Sequence, residues 1–334
     1  MPVWFIPVIS AAGALAFLFV LMFVLAAVGY NSAFGRRYDK NPVLKYFTAE
    51  DFRLETEPVA VQYKKRTLRG YIYRDGKVGE RDTIVVFAHG MGAGQVEYTT
   101  EIAYFCRQGY VTLALDVTGC NFSDGSKIAG MYSGVTAVKC AADFARKTFP
   151  GRKICLVGHS WGGYSVLCAS AERKVEKVVA ISAPDTPVKT IYFAAARMIS
   201  QPLAAALCPF WRLLNFLKFG TKGNLSAAKS ASGNNTPTLL IHGGKDKIVS
   251  RKNAVYYRAE GDNLTKVFDT EKAHNPYNTP AAERLLSELS STFVSKELTA
   301  AEKRAFAEKF DYSAATEEDG KLMTAISDFI AENN

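Results

Sequence analysis

A serine, a histidine and an aspartate, far apart in this chain, each stand where a hydrolytic triad needs them. Ser160 lies in Gly158-His159-Ser160-Trp161-Gly162, after the apolar run from Lys153 to Val157 and before a helix-compatible run from Tyr164. Strand, sharp turn and helix form the setting in which G-x-S-x-G works as a nucleophile elbow. A serine that lifts its hydroxyl clear of a sheet sits in strained backbone, held there by its surroundings. Side chains two positions either side would collide in so tight a turn, which accounts for Gly158 and Gly162, while Gly163 lets the helix approach the strand. The hydroxyl needs a base to take its proton, an acid to orient the base, and donors for the oxyanion. His274, in the loop after a short strand around Lys266 to Phe268, is the candidate base, because His89, His159 and His242 each adjoin a glycine in motif positions. Asp246, just past the run from Thr238 to His242, is the candidate acid. It could instead cap a helix, and Asp185, after the preceding strand, is the alternative acid.

Donors come from two turns. Val85 to Gly92 ends a strand in a glycine-containing turn, where Gly90 permits the bend and the Met91 N–H can face the site. The Trp161 N–H, following the nucleophile, is the second expected oxyanion donor. His89 reads as a structural hydrogen-bonder of its turn and His242 as packing or turn chemistry. The Trp161 ring either lines the pocket or fills core. The four histidines fall in separate strand-end loops, so no metal site is expected, and no motif calls for a cofactor.

The elements that must position these residues are legible as periodicities. Pro58–Tyr63 and Thr67–Tyr73 alternate apolar and polar, as antiparallel strands with one wet face do. Beyond Asp75-Gly76 the strands become continuous apolar runs alternating with helical patterns: Thr83–Ala88, Tyr110–Asp116, Lys153–Val157, Lys177–Ser182 and Thr238–His242. Doubly buried strands in β-α order predict an α/β fold, a mostly parallel sheet with helices on both faces and its site at the strands' carboxyl ends. The expected divisions are a transmembrane anchor at 1–30, a linker at 31–53, and a first core part at 54–184. A helical cap follows at 185–237, read as a lid over the site, then a second core part at 238–334 with an insertion at about 281–318.

With His89-Gly90, Gly158 to Gly163, Gly243-Gly244-Lys245-Asp246 and His274 in view, residues 55 to 280 and the final helix resemble the α/β-hydrolase superfamily. Within it the chain resembles capped serine hydrolases such as monoacylglycerol-lipase-like enzymes and membrane-anchored α/β-hydrolase-domain proteins. The resemblance implies that Ser160 is the nucleophile, Asp246 the orienting acid and His274 the general base, in the superfamily's Ser, acid, His order. Two features depart from the pattern. Relatives usually carry Asp-x-Arg-Gly-x-Gly-x-Ser where this chain has Asp116 to Ser123, with Thr118 and Asn121 replacing Arg and Gly. The closing helix also comes late after His274.

Residues 3 to 30 contain no Asp, Glu, Lys, Arg or His. At about 1.5 Å per residue the run exceeds a hydrocarbon core of about 30 Å. Trp4 and Tyr30 suit interfacial aromatics, and Arg36, Arg37 and Lys40 following the run place the body in the cytoplasm by the positive-inside rule. The alternative is a signal peptide and an exported protein, favoured by the small residues at Ala26 to Gly29 but lacking a basic start and a short apolar region. Six cysteines without paired spacing fit a reducing compartment. The net charge of +9 is scattered over no nucleic-acid module and suits an anionic membrane surface or a solvated basic face. The expected activity is hydrolysis of a lipophilic small-molecule ester or thioester with an apolar acyl group. The alternatives are a serine peptidase or acyltransferase on the same triad, or a non-catalytic tethered binding domain.

Overall fold

The computed structural model describes residues 5–332, so Trp4 lies outside the described residues. The chain opens with α1 (Phe5–Phe34), then the hairpin β1 (Glu55–Tyr63) and β2 (Arg66–Arg74). The alternating section follows: β3 (Thr83–Ala88), α2 (Thr99–Arg107), β4 (Val111–Leu115), α3 (Tyr132–Thr148), β5 (Lys153–His159), α4 (Trp161–Ser170) and β6 (Lys177–Ile181). Next come α5 (Pro187–Ala195), α6 (Gln201–Phe219) and α7 (Ala227–Ser232), then β7 (Thr238–Gly243) and β8 (Leu264–Asp269). The chain closes through α8 (Pro280–Val294), α9 (Ala300–Lys309), α10 (Tyr312–Ala315) and α11 (Gly320–Ala331).

Among the described residues the strands form one eight-stranded sheet in the order β1-β2-β4-β3-β5-β6-β7-β8. The pairs β1–β2 and β2–β4 are antiparallel, and every pair from β4 to β8 is parallel. Strand periodicity divides the core into two layers. Ile84, Val86, Leu156 and Val178 face α3, α4 and α7, whereas Val85, Phe87, Val157 and Val179 face α2 and α11. Because β3, β5, β7 and β8 run the same way, their carboxyl ends share one rim, bringing residues 89, 160, 246 and 274 to the same edge of the sheet.

The front of the chain is less detached than the sequence suggests. α1 continues past residue 30 to Phe34, and its last turns are buried: Ala26, Tyr30 and Phe34 are each 2% exposed or less. Trp211 Nε1 on α6 donates to the Ala26 carbonyl (3.0 Å), and the Tyr30 hydroxyl to Asn215 Oδ1 (2.8 Å). The segment after α1 is sewn to the core, with Tyr38 N–H donating to Gly119 O (2.9 Å) and Asn121 N–H to Tyr38 O (2.8 Å). Linker composition missed this, because the partners are backbone groups of a distant loop.

Candidate active site

Ser160 joins β5 to α4 with φ 56° and ψ −115°, a left-handed conformation rare for a side-chain-bearing residue. The fold imposes it. Ser160 N–H donates to Ile181 O (2.8 Å) and Tyr164 N–H returns to Ser160 O (3.1 Å), fixing the peptide units on both sides. A Cβ at Gly162 would lie 1.9 Å from Ala88 O, and one at Gly158 would lie 2.4 Å from Gly162 O. The elbow therefore closes only on glycine, and it packs against the backbone that leads into the 89–92 turn.

That turn is shaped by His89, whose Nδ1–H donates to Gly90 O (2.8 Å) while Nε2 accepts from Val117 N–H (3.0 Å). Burial pushes the His89 pKa down to about 4, against the opposing hydrogen bond to Gly90, so the ring stays neutral and structural. The hypothetical Cβ of Gly90 would sit 3.6 Å from Ser160 Cβ, so this turn overhangs the serine. Among the described residues no acceptor takes the Met91 N–H. Trp161 opens α4, where a helix's first N–H groups lack intrahelical acceptors. The Trp161 ring is spent on core: it is 1% exposed and donates to Met131 O (2.8 Å).

His274 and Asp246 meet. His274 Nδ1 lies 2.9 Å from Asp246 Oδ2, and the Asp246 side chain is fully buried. Burial alone would raise the carboxyl's pKa. The hydrogen bond and charge of His274, joined by the Val249 and Ile248 N–H groups on Oδ1, outweigh it and leave it lowered. Asp185 is occupied elsewhere, holding Arg258 Nε (2.6 Å), the Ser226 hydroxyl and Ala228 N–H at the start of α7. The His274 ring stands 4.8 Å from that of His159, the residue before the serine. Among the described residues Ser160 Oγ makes no hydrogen bond, so of the two bonds of a triad only the one between carboxylate and imidazole is made.

Residues 79–226 match the family described as Serine aminopeptidase, S33. No curated protein matches. Among solved structures, an esterase of Pyrococcus furiosus superposes with TM-score 0.58 at 18% identity, covering 77% of this chain and 97% of its own. Est1E of Butyrivibrio proteoclasticus, solved with ferulic acid, gives 0.51 at 17% identity, covering 70% and 97%. An acylaminoacyl peptidase of Pyrococcus horikoshii gives 0.52 at 15% identity, covering 75% of this chain and 44% of its own.

The chain has the α/β-hydrolase fold.

Within this fold the histidines stand closer together than their separation in sequence implies. Strand-end loops that are separate in sequence end on one rim, so three of the four histidines gather. His159 and His274 are neighbours, and His242 Nδ1 lies 3.9 Å from Asp246 Oδ2 with its ring stacked on Tyr256. Among the described residues no group of His, Cys, Asp and Glu has the arrangement of a metal site.

Several site residues carried no sequence signal. Tyr98 and Tyr277 enclose His159, and Glu283 on α8 accepts from Asn275 N–H (2.6 Å), bracing the residue after His274. Where relatives usually carry an arginine at position 118, here a guanidinium reaches the loop from outside. Arg37 donates to Ser123 O and Gly125 O (2.8 Å each) and to Asn121 O.

Proposed function

We propose that this chain is a membrane-tethered serine hydrolase that cleaves an ester or thioester bearing an apolar acyl group. Ser160 Oγ attacks the carbonyl carbon while His274 Nε2 takes its proton, and Asp246 orients and stabilises the resulting imidazolium. The Met91 and Trp161 N–H groups donate to the oxyanion, and Gly90, Gly158 and Gly162 permit the turns that aim them. His274 then protonates the leaving group, and the acyl chain remains on Ser160. A water deprotonated by His274 attacks the acyl-enzyme, releasing the acid and restoring the hydroxyl.

The observation that carries this proposal is the 2.9 Å bond between His274 and buried Asp246, beside a serine held in left-handed backbone. α1 supports the tether, since Ser10–Phe34 has the length and apolarity of a membrane span, properties that a signal sequence shares. Leu15, Phe17 and Val20 on α1 are more than half exposed, and so is Leu217 on α6, which packs beside it. The body then lies on the basic, cytoplasmic side. The helices at 185–237 serve as a lid and those at 281–318 as an elaboration that braces the base loop.

A fluorophosphonate probe tests the enzyme directly. Labelling that disappears in Ser160→Ala supports the proposal, and no labelling of folded protein refutes it. The matched family's description keeps a peptidase in play as the second reading. Turnover of p-nitrophenyl esters that rises with acyl length, with no turnover of aminoacyl amides, selects the esterase; the reverse selects the peptidase.

A further inference from the structure

His159 precedes the proposed nucleophile and takes no part in the mechanism above, yet it is 3% exposed and both ring nitrogens are engaged. Nε2 lies 3.0 Å from the His274 carbonyl oxygen and Nδ1 lies 2.8 Å from the Tyr98 hydroxyl. Tyr98 also accepts from Gly90 N–H (3.0 Å). The direction of every bond follows by elimination. A carbonyl only accepts, so His159 Nε2 carries the hydrogen. In a neutral imidazole Nδ1 is then the acceptor, Tyr98 must donate to it, and the phenol oxygen is left to accept from Gly90. Burial, then the neighbouring His274, push the His159 pKa down to about 3, which keeps the ring neutral over the working range. Burial likewise raises the Tyr98 pKa, so the phenol keeps its proton.

This one chain of bonds touches the oxyanion turn at Gly90, the elbow at His159 and the base loop at His274. They arrive from three different strands, β3, β5 and β8, and nothing in their local sequence sets their mutual spacing. We propose that Tyr98 and His159 are positioning residues that fix the distance between the Ser160 hydroxyl, the His274 imidazole and the oxyanion donors. The inference rests on the triad proposed above. It deepens that proposal by naming what holds the triad's backbone while the His274 side chain stays free to reach Ser160.

The test uses full-length protein and a short p-nitrophenyl ester. Tyr98→Phe removes the phenolic oxygen and leaves the ring packing, whereas His159→Leu removes both polar contacts. His159→Gln can offer an amide oxygen to Tyr98 and an amide N–H to the His274 carbonyl. Misplacement by about 1 Å is enough for a ~100-fold loss, so Tyr98→Phe and His159→Leu are expected to lower kcat roughly 10- to 100-fold with KM within about twofold. His159→Gln should recover most of the loss, and the acid limb of the pH–rate profile should not move in any of the three. A merely structural role predicts parallel losses of Tm and active fraction with unchanged kcat per fluorophosphonate-titrated site. Unchanged kcat per site in Tyr98→Phe, or Gln no better than Leu at 159, overturns the proposal. If His159→Leu does not fold, Tyr98→Phe decides alone. Loss of labelling in Ser160→Ala alongside an unaffected Tyr98→Phe would retain the triad and reject the positioning pair. Labelling that persists in Ser160→Ala would reject the triad itself.

Discussion

Asp246 is useful to the proposed chemistry only while it fixes which nitrogen of His274 faces the serine. Its carboxylate spends Oδ1 on two backbone N–H groups, so Oδ2 is presented to His274 Nδ1 in one orientation. Asp246→Asn preserves shape but can present an N–H to that nitrogen, which favours the wrong tautomer; kcat is expected to fall by about 10⁴-fold with little change in KM. Asp185→Asn should instead leave kcat near wild type and lower Tm, because its partners are structural: Arg258 beyond β7 and the start of α7 within the 185–237 helices. The reverse pattern would move the acid to Asp185. Gly162→Ala meets backbone, since its Cβ would lie 1.9 Å from Ala88 O and no side-chain rotation relieves that. The expected cost is on the order of 4 kcal/mol, measured by denaturant unfolding. Wild-type stability in that variant would mean that the elbow has slack.

At the scale of elements, what the sequence revealed were features written in local residue order. Gly158 to Gly163 spells out a strand, a turn and a helix, and the apolar runs marked the parallel strands. The features it hid join distant segments through groups common to every residue. Arg37 satisfies carbonyls of the 121–125 loop, and no pattern in either stretch names the other. Arg37→Ala leaves those carbonyls without their donor, and a loss of about 2 kcal/mol is expected. Lysine, which lacks the planar fork, should restore less than half. Glu318 was equally silent. It pairs by a β-bridge with Asn278 at the base of the late helices, and burial, then the nearby Glu101, raise its pKa to about 9. Burial raises that of Glu101 to about 7. Both folded values exceed the ordinary 4.5, so the native state holds more protons than the unfolded chain above that pH. The contribution of these two groups to stability is therefore fully present below about pH 4.5 and declines as pH rises through about 7 and then about 9. Glu318→Gln should flatten the upper part of that decline in Tm; an unaltered slope would show that the carboxyl is solvated.

Over the whole molecule, α1 has a proposed membrane-facing part and a core-facing part that composition cannot separate, because a membrane-facing leucine and a core-facing one look alike in a sequence. The turns around Leu15 to Val20 are exposed, whereas Ala26, Tyr30 and Phe34 are built into the core, with Ala26 and Tyr30 hydrogen-bonded to α6. A leader destined for removal has no reason to supply Tyr30 with a buried partner such as Asn215, so the proposed anchor is expected to be retained in the mature chain. Two truncations separate the two parts. Removing residues 2–20 should release the protein from membranes while short, water-soluble esters are still turned over at near wild-type rates. Removing residues 2–34 also deletes the buried Tyr30 and Phe34, whose loss costs about 3–5 kcal/mol for each large ring, and should yield aggregated or unfolded protein. Fractionation followed by circular dichroism checks both. A stable, active chain lacking residues 2–34 would show that the contact between α1 and α6 is dispensable. A mature N-terminus at or beyond residue 27, read by mass spectrometry, would turn the proposed anchor into a cleaved leader and place the body of the chain outside the cytoplasm.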